Sequence, residues 1–173
     1  MKTVALHNLG CKVNAYEMDI MQKALIDDGY KIVPFDESAD IYVINTCSVT
    51  NIADRKSRQM LHKARQKNPS AIVIAAGCYV NTRQKDEILN DGVDIVIGNK
   101  EKADIARITD KFLGEHPEFA SNSTPTPDND IFKDFGQNKI SGKKKHSEIE
   151  GNHTRAFIKI QDGCEMFCSY CII

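Results

Sequence analysis

The 173-residue sequence lacks both a net charge and a long hydrophobic run. Lysine and arginine number 23, and aspartate and glutamate 24, so the formal net charge of −1 gives no overall attraction to nucleic acid or an anionic membrane. No apolar segment approaches the roughly 20 residues that cross a bilayer. Residues 1–6 predict a strand rather than a signal peptide. We therefore expect a cytoplasmic protein without a membrane partner.

The sequence has six cysteines, and three of them lie close together near the C-terminus. Cys164, Cys168 and Cys171 are spaced C-x3-C-x2-C. Three thiolates can bind three irons of a cubane cluster and leave the fourth iron open, whereas a cluster with four protein thiolates mainly carries electrons. In a cytosolic chain, where cysteines stay reduced, such a group indicates metal binding or catalysis rather than disulfides.

A structural zinc site is the alternative for this triplet. Zinc takes four tetrahedral ligands, and the chain has no second close pair of cysteines, so His146 or His153 would have to supply the fourth. The three-then-two spacing, with Tyr170 directly before the last cysteine, favours iron and sulfur. A zinc protein would be colourless, and an iron–sulfur protein would not.

Strand-like and helix-like segments alternate over residues 1–114. Strands are predicted at residues 3–8, 30–34, 40–46, 71–76 and 94–97, and helices at residues 15–28, 52–67, 84–89 and 102–113. On the first helix, Met18, Met21, Leu25 and Ile26 are expected on one buried face. This alternation predicts an α/β fold: a flavodoxin-like or Rossmann-like parallel sheet with helices on both faces.

The other three cysteines each follow a predicted strand. Cys11, Cys47 and Cys78 come after the first, third and fourth strands. In a flavodoxin-like order 2-1-3-4-5 these strands are neighbours, and their C-terminal ends share the edge where α/β proteins bind ligands. The three thiols are then predicted to hold a second cluster, with Gly10 and Gly77 allowing tight turns beside it. The alternative is that each cysteine is a small buried hydrophobe at a strand end.

The composition changes after the alternating region. Residues 115–152 are rich in Ser, Asn, Pro, Asp and Lys and predict a linker. Residues 155–161 then predict one more strand, and residues 162–171 a cluster loop. The domain organisation expected from the sequence is therefore a domain at 1–114, a linker at 115–152 and the start of a second domain at 153–173.

The four cysteine-bearing motifs together resemble the methylthiotransferase family of radical S-adenosylmethionine (SAM) enzymes. They are residues 9–14 (Leu-Gly-Cys-Lys-Val-Asn), 45–50 (Asn-Thr-Cys-Ser-Val-Thr), 76–79 (Ala-Gly-Cys-Tyr) and the C-terminal triplet. Such enzymes carry an N-terminal cluster domain, a radical SAM barrel and a small RNA-binding domain. The resemblance implies that residues 153–173 are the start of a truncated barrel, so we expect this chain to be inactive alone.

The resemblance also implies two [4Fe–4S] clusters and SAM as cofactors. The first cluster would be held by Cys11, Cys47 and Cys78, and the second, which binds SAM, by Cys164, Cys168 and Cys171. Tyr170 would pack near the adenine of SAM, and no side chain is expected to act as a catalytic acid or base. In such enzymes the reduced second cluster generates a 5′-deoxyadenosyl radical that removes the C2 hydrogen of an adenine, and the first delivers sulfur. A reductase such as a flavodoxin is the implied electron donor.

The substrate branch is indicated by two stretches, residues 10–14 and 49–58. They most resemble the branch that methylthiolates N6-threonylcarbamoyladenosine at position 37 of tRNA, so the tRNA anticodon loop is the expected partner. Methylthiotransferases acting on isopentenyladenosine-37 of tRNA or on a ribosomal-protein aspartate are alternatives.

An alternative of another class is a non-catalytic iron–sulfur or flavin electron carrier. Residues 8–14 lack the Ser/Thr/Gly run of a flavin phosphate site, and SAM binding would separate carrier from enzyme.

The helix predicted at residues 52–67 carries a local basic stripe. Ala53, Ser57, Met60 and Ala64 are expected to face the sheet, and Arg55, Arg58, His62 and Arg65 to lie opposite. Such a stripe is a candidate contact for tRNA phosphates. A solvated helix face without a ligand is the simpler explanation.

Overall fold

The computed structural model describes residues 1–119 together with Ile160, Cys168 and Ser169. The strands are β1 (Thr3–Asn8), β2 (Lys31–Val33), β3 (Ile41–Thr46), β4 (Ile72–Gly77) and β5 (Ile95–Ile97). The α-helices of this part are α1 (Lys12–Asp27), α2 (Asn51–Lys67), α3 (Cys78–Thr82), α4 (Lys85–Asn90) and α5 (Ile105–Glu115). Two 3-10 segments cover Asn99–Asp104 and Pro117–Phe119. None of the helices in these residues is long and apolar enough to cross a membrane.

All five strands form one parallel sheet in the order β2-β1-β3-β4-β5. The predicted α/β class and the predicted flavodoxin-like strand order are therefore confirmed. The chain leaves β1 toward β2 on one side and returns to β3 on the other, so the strand order reverses between β1 and β3. The register pairs Asn8 with Asn45 and Thr46 with Gly77. The C-terminal ends of β1, β3 and β4 consequently lie level with one another.

Two apolar layers cover the sheet. Along β3, Ile41 and Val43 pack on the side of α1 and α5, while Tyr42 and Ile44 pack on the side of α2. Every residue of β3 and β4 is buried, which explains why these strands have nearly continuous apolar sequences. Full burial of one such isoleucine or valine contributes about 1.5–3 kcal/mol, so these two strands anchor the C-terminal edge firmly.

Helix α1 begins at Lys12, three residues before the predicted start, because Cys11 adopts an extended conformation and is its N-cap residue. Its buried side chains are Asn14, Glu17, Met18, Met21 and Leu25. Ile26 is 50% exposed, so its predicted place on the buried face was wrong. At 3.6 residues per turn, Ile26 is rotated about 100° away from Leu25 and out of the buried stripe.

Two further helical predictions need correction. Helix α3 was not predicted, because its five residues are too few to show a helical period. The helix expected at residues 102–113 is instead the 3-10 segment Asn99–Asp104 followed by α5. On α2 the buried side chains are Ser57, Leu61 and Ala64, and Met60 is partly buried against the same apolar cluster, as predicted.

The continuously described residues 1–119 end with the 3-10 segment Pro117–Phe119, which packs back onto the domain. Lys2 Nζ donates a hydrogen bond of 2.6 Å to the carbonyl oxygen of Phe119, and the Phe119 and Phe112 rings lie 5.7 Å apart. The predicted linker beyond residue 119 and the predicted start of a second domain at 153–173 lie outside the described residues, apart from the three named above. The predicted domain boundaries stay predictions.

Candidate metal centre

Cys11, Cys47 and Cys78 lie at the C-terminal edge of three neighbouring strands. Cys47 directly follows β3, Cys78 directly follows β4, and Cys11 lies three residues beyond β1. All three are free thiols; Cys47 is buried, Cys78 half-buried and Cys11 exposed. The strand order therefore brings the three cysteines to the same edge of the sheet.

The described residues include no ready-made site for a single metal ion. Among the described residues, no three Cys, His, Asp or Glu side chains are placed to hold one metal ion. A cubane cluster makes a different demand, because each cysteine binds a separate iron atom of a larger group. A set of three thiols is compatible with such a cluster.

Gly10 brings the loop that carries Cys11 against Cys47. A Cβ at position 10 would lie 2.8 Å from Cys47 Cβ and 3.0 Å from Cys47 Sγ. The φ of Gly10 is +107°, a conformation that side-chain-bearing residues rarely adopt. Position 10 therefore requires glycine, because a side chain would clash with Cys47 and because the backbone has a positive φ. The absence of a side chain lets the loop of Cys11 contact Cys47.

Gly77 makes the corresponding turn between β4 and α3. Its φ is +97° and its ψ −162°, a region that is essentially restricted to glycine. An added Cβ would lie 2.3 Å from the main-chain oxygen of Thr46. The chain therefore passes directly from a buried strand into α3, and Cys78 is the first residue of that helix.

Two buried asparagines connect the loops beneath the cysteines. Asn14 Nδ2 donates to the carbonyl oxygens of Leu9 (2.6 Å) and Thr46 (2.9 Å), and Asn45 Nδ2 donates to the carbonyl oxygen of Asn14 (2.8 Å). These bonds join the start of α1 to the ends of β1 and β3. Asn45 Oδ1 is buried with no hydrogen-bond partner among the described residues, an uncommon and costly state for an acceptor.

Ser57 of α2 holds the main chain of Cys47. The Cys47 N–H donates to Ser57 Oγ (3.1 Å), and the Ser57 hydroxyl lies 2.8 Å from the Cys47 carbonyl oxygen and 3.0 Å from that of Ala53. Thr50 caps α2 by accepting a hydrogen bond from the Ala53 N–H at 3.1 Å. The position of Cys47 is therefore fixed by a helix rather than by a free loop.

The surroundings of Cys78 oppose ionisation of its thiol. Burial raises the pKa of the Cys78 thiol most, and Cys47 raises it further. The ammonium group of Lys102 lowers that pKa, whereas Cys11 and Glu17 raise it. The Cys78 thiol is therefore favoured in its neutral form.

Residues 3–98 match a family described as "Uncharacterized protein family UPF0004". The chain belongs to this family. The match covers the whole sheet and all three cysteines of the candidate centre, and it ends directly after β5.

Several curated relatives of this UPF0004 chain are named as methylthiotransferases. Threonylcarbamoyladenosine tRNA methylthiotransferase MtaB of Bacillus subtilis is 37% identical over 100% of this chain and 36% of that protein. The identically named protein of Aquifex aeolicus is 35% identical over 98% of this chain and 39% of that protein. A tRNA-2-methylthio-N(6)-dimethylallyladenosine synthase of Methylacidiphilum infernorum is 29% identical over 100% of this chain and 36% of that protein.

The methylthiotransferase resemblance predicted from the motifs is thus confirmed, and the chain spans slightly more than a third of these relatives' length. Among solved structures, a CheY-like response regulator receiver domain protein from Methanospirillum hungatei matches with a TM-score of 0.50 and 15% identity. The match covers 66% of this chain and 95% of that one. At this identity the likeness shows the fold alone.

The second predicted group of the UPF0004 chain falls mostly outside the described residues. Cys168 is described as a half-buried free thiol. Cys164, Cys171 and Tyr170 lie outside the described residues. Cluster and SAM binding by this group stay predictions.

Five side chains around the candidate centre were not found from the sequence: Asn14, Glu17, Asn45, Ser57 and Lys102. One usable signal was the position of Asn45, a polar residue inside the otherwise apolar run of β3. A second was the buried face of α1, where Asn14 and Glu17 are three residues apart and continue the stripe of Met18 and Met21. No local sequence pattern indicated the burial of Lys102, because its partner Glu17 lies 85 residues away in the sequence.

The basic stripe on α2 is only partly available to a ligand. Arg65 Nη1 donates to the carbonyl oxygen of Ala71 (2.7 Å), and Arg65 Nη2 donates to Gly92 (2.9 Å) and forms a 2.5 Å ion pair with Asp94. Arg58 lies 3.6 Å from Asp54. The structure therefore assigns Arg65 to packing within the UPF0004 domain rather than to a phosphate contact.

Proposed function

We propose that this chain is part of a tRNA methylthiotransferase, which adds a methylthio group to C2 of N6-threonylcarbamoyladenosine at position 37. The observation that carries the proposal is 35–37% identity, along 98–100% of the chain, to proteins named for this activity. Identity to the dimethylallyladenosine synthase is lower, at 29%, which favours N6-threonylcarbamoyladenosine as the substrate. The activity is proposed for the whole protein, because the chain spans little more than a third of its relatives.

We propose that Cys11, Cys47 and Cys78 hold a [4Fe–4S] cluster. Their thiols lie at three adjacent strand ends. Gly10 brings the backbone against Cys47 Sγ, and Gly77 makes the tight turn directly before Cys78. A donor set of thiolates suits iron–sulfur clusters. When bound, such a cluster supplies an iron without a protein ligand, at which a sulfur-bearing group can bind.

The residues around the cysteines would position the thiols and limit the access of water. Ser57 fixes the main chain of Cys47, and Asn14 ties the Cys11 loop to the end of β3. Cys47 is 5% exposed, whereas Cys11 is open to solvent. The site therefore has a rigid inner ligand and an accessible outer one. An incoming group would approach from the side of Cys11.

A second cluster with bound SAM is proposed for Cys164, Cys168 and Cys171, with Tyr170 beside the SAM adenine. This part of the proposal rests on the C-x3-C-x2-C spacing in the sequence. The anticodon loop of tRNA is the proposed partner, a reductase such as a flavodoxin the proposed electron donor, and the cytoplasm the proposed location.

The decisive experiment follows modified nucleosides in tRNA. In a strain without the gene for the full-length protein, we expect 2-methylthio-N6-threonylcarbamoyladenosine to disappear from total tRNA, as measured by mass spectrometry of nucleosides. The intact gene should restore it. The triple variant Cys11→Ala, Cys47→Ala, Cys78→Ala should not restore it. Ser48→Ala, which changes the residue after Cys47 but removes no thiol, is the matched control and should restore it.

The alternatives give different results in the same experiment. Loss of the methylthio group from isopentenyladenosine instead would assign the chain to that branch and contradict the proposed substrate. An unchanged nucleoside profile would contradict a tRNA methylthiotransferase altogether and favour an electron carrier or an enzyme acting on protein.

A further inference from the structure

Glu17 and Lys102 form an ion pair in the interior, next to the cysteine edge. The ammonium group of Lys102 donates a hydrogen bond to Glu17 Oε2, and the side chains of Lys102 and Glu17 are 4% and 7% exposed. Glu17 lies on α1 and Lys102 on the 3-10 segment that follows β5. Lysine and glutamate are almost never this deeply buried unless they are paired, and the question is what this pair does.

Stability alone explains this pair poorly. Removing two charges from water costs several kcal/mol per ion, and their attraction offsets that cost only when the geometry is very good. An apolar pair of similar size is often as stable or more stable. A buried pair at the rim of a ligand site therefore points to a use for the charge itself.

Both members of the pair lie on elements that border the cysteine edge. The 3-10 segment of Lys102 begins two residues after β5, whose last residue, Ile97, pairs with Ala76, two residues before Cys78. Glu17 lies one helical turn beyond Asn14, which is bonded to the end of β3. The pair therefore lies beside the cysteine site, and its positive member follows the strand next to β4.

We propose that Lys102 is a buried positive charge that stabilises the negative charge of the cluster at Cys11, Cys47 and Cys78, and that Glu17 positions it. The inference rests on the cluster proposed above. Adding an electron to the cluster makes it more negative, so a fixed positive charge in a region of low dielectric favours the reduced state. Lys102 would therefore raise the reduction potential of this cluster.

The test uses the full chain with Cys164, Cys168 and Cys171 changed to Ala, so that only the first cluster can form. After anaerobic reconstitution, the iron content is measured and the cluster is titrated with a reductant under electron paramagnetic resonance. Lys102→Met should lower the ratio of reduced to oxidised cluster at a given potential by about tenfold, equivalent to about 59 mV for a one-electron couple. Lys100→Met, an exposed change on the same 3-10 segment, should leave it unchanged.

Two further variants keep the test decisive. Glu17→Gln leaves the lysine charge unbalanced and should raise the ratio. If Lys102→Met alone does not fold, the double variant Glu17→Met, Lys102→Met replaces the pair with apolar side chains and should lower the ratio, though less than Lys102→Met would.

The outcomes separate the two proposals. No iron in the parent would overturn the cluster itself, and this inference with it. A loaded cluster whose potential is the same in the Lys102 variants and in Lys100→Met would overturn the role of Lys102 and leave the cluster proposal intact.

Discussion

At the scale of single residues, the candidate centre depends on how closely three cysteine-bearing segments approach. Gly10 lies against Cys47, and Gly77 lies against the main chain of Thr46. Both glycines have φ near +100°, so a side chain at either position meets a conformational penalty as well as a steric one. These cysteines and glycines were recognisable in the sequence because each lies at or just beyond the end of a predicted strand.

The glycine requirement gives a stability prediction. Gly77→Ala should lower the free energy of unfolding by about 3 kcal/mol or more, because the new Cβ meets main-chain atoms and the backbone region is nearly closed to alanine. Gly29→Ala is the matched control: φ is +87°, but no atom lies within 4 Å of the added Cβ. It should cost only about 1–2 kcal/mol. Urea denaturation measures both, and equal losses would show that the contact with Thr46 is unimportant.

The hydrogen-bonding residues around the cysteines could not be predicted from the sequence. Ser57 bonds to Cys47 from ten residues away, Asn14 to Thr46 across 32, and Lys102 to Glu17 across 85. Periodicity reports which face of an element is buried, but not which polar groups meet across elements. A polar residue on a buried face is therefore the only local sign of such a bond.

At the scale of elements, the strand order followed from the sequence because the strands are apolar and alternate with helices. Helix boundaries were less accurate, since Cys11 caps α1 without a side-chain hydrogen bond and α3 is only five residues long. The charge pattern of α2 gave an inaccurate prediction for Arg65. A helical projection places Arg65 on the exposed side, but the long side chain reaches back to bond with the loops before β4 and β5.

Arg65 therefore gives a prediction that separates packing from RNA binding. Arg65→Met should lower the free energy of unfolding by about 2–3 kcal/mol, because it removes charge-assisted hydrogen bonds and leaves carbonyl oxygens without partners. Arg58→Met removes an ion pair with a 45% exposed side chain and should change the free energy by less than about 0.5 kcal/mol. Urea denaturation of the two variants checks this. Similar small effects would return Arg65 to the group of candidate phosphate contacts.

At the scale of the whole molecule, a common α/β scaffold carries an uncommon donor set. The receiver-domain likeness shows that the sheet order is shared with proteins of 15% identity, so the fold alone does not indicate the chemistry. What distinguishes this chain is the placement of cysteines at three level strand ends beside the point where the strand order reverses. The central claim is that these three residues bind a cluster.

The measurement that tests this claim most directly is a count of iron and sulfide after anaerobic reconstitution of the full chain. The parent should hold about eight irons, corresponding to two cubane clusters, and the Cys11→Ala, Cys47→Ala, Cys78→Ala variant about four. The matched Cys164→Ala, Cys168→Ala, Cys171→Ala variant should also hold about four. An equal iron content in the parent and in the first variant would mean that Cys11, Cys47 and Cys78 serve only in packing, and would contradict the account.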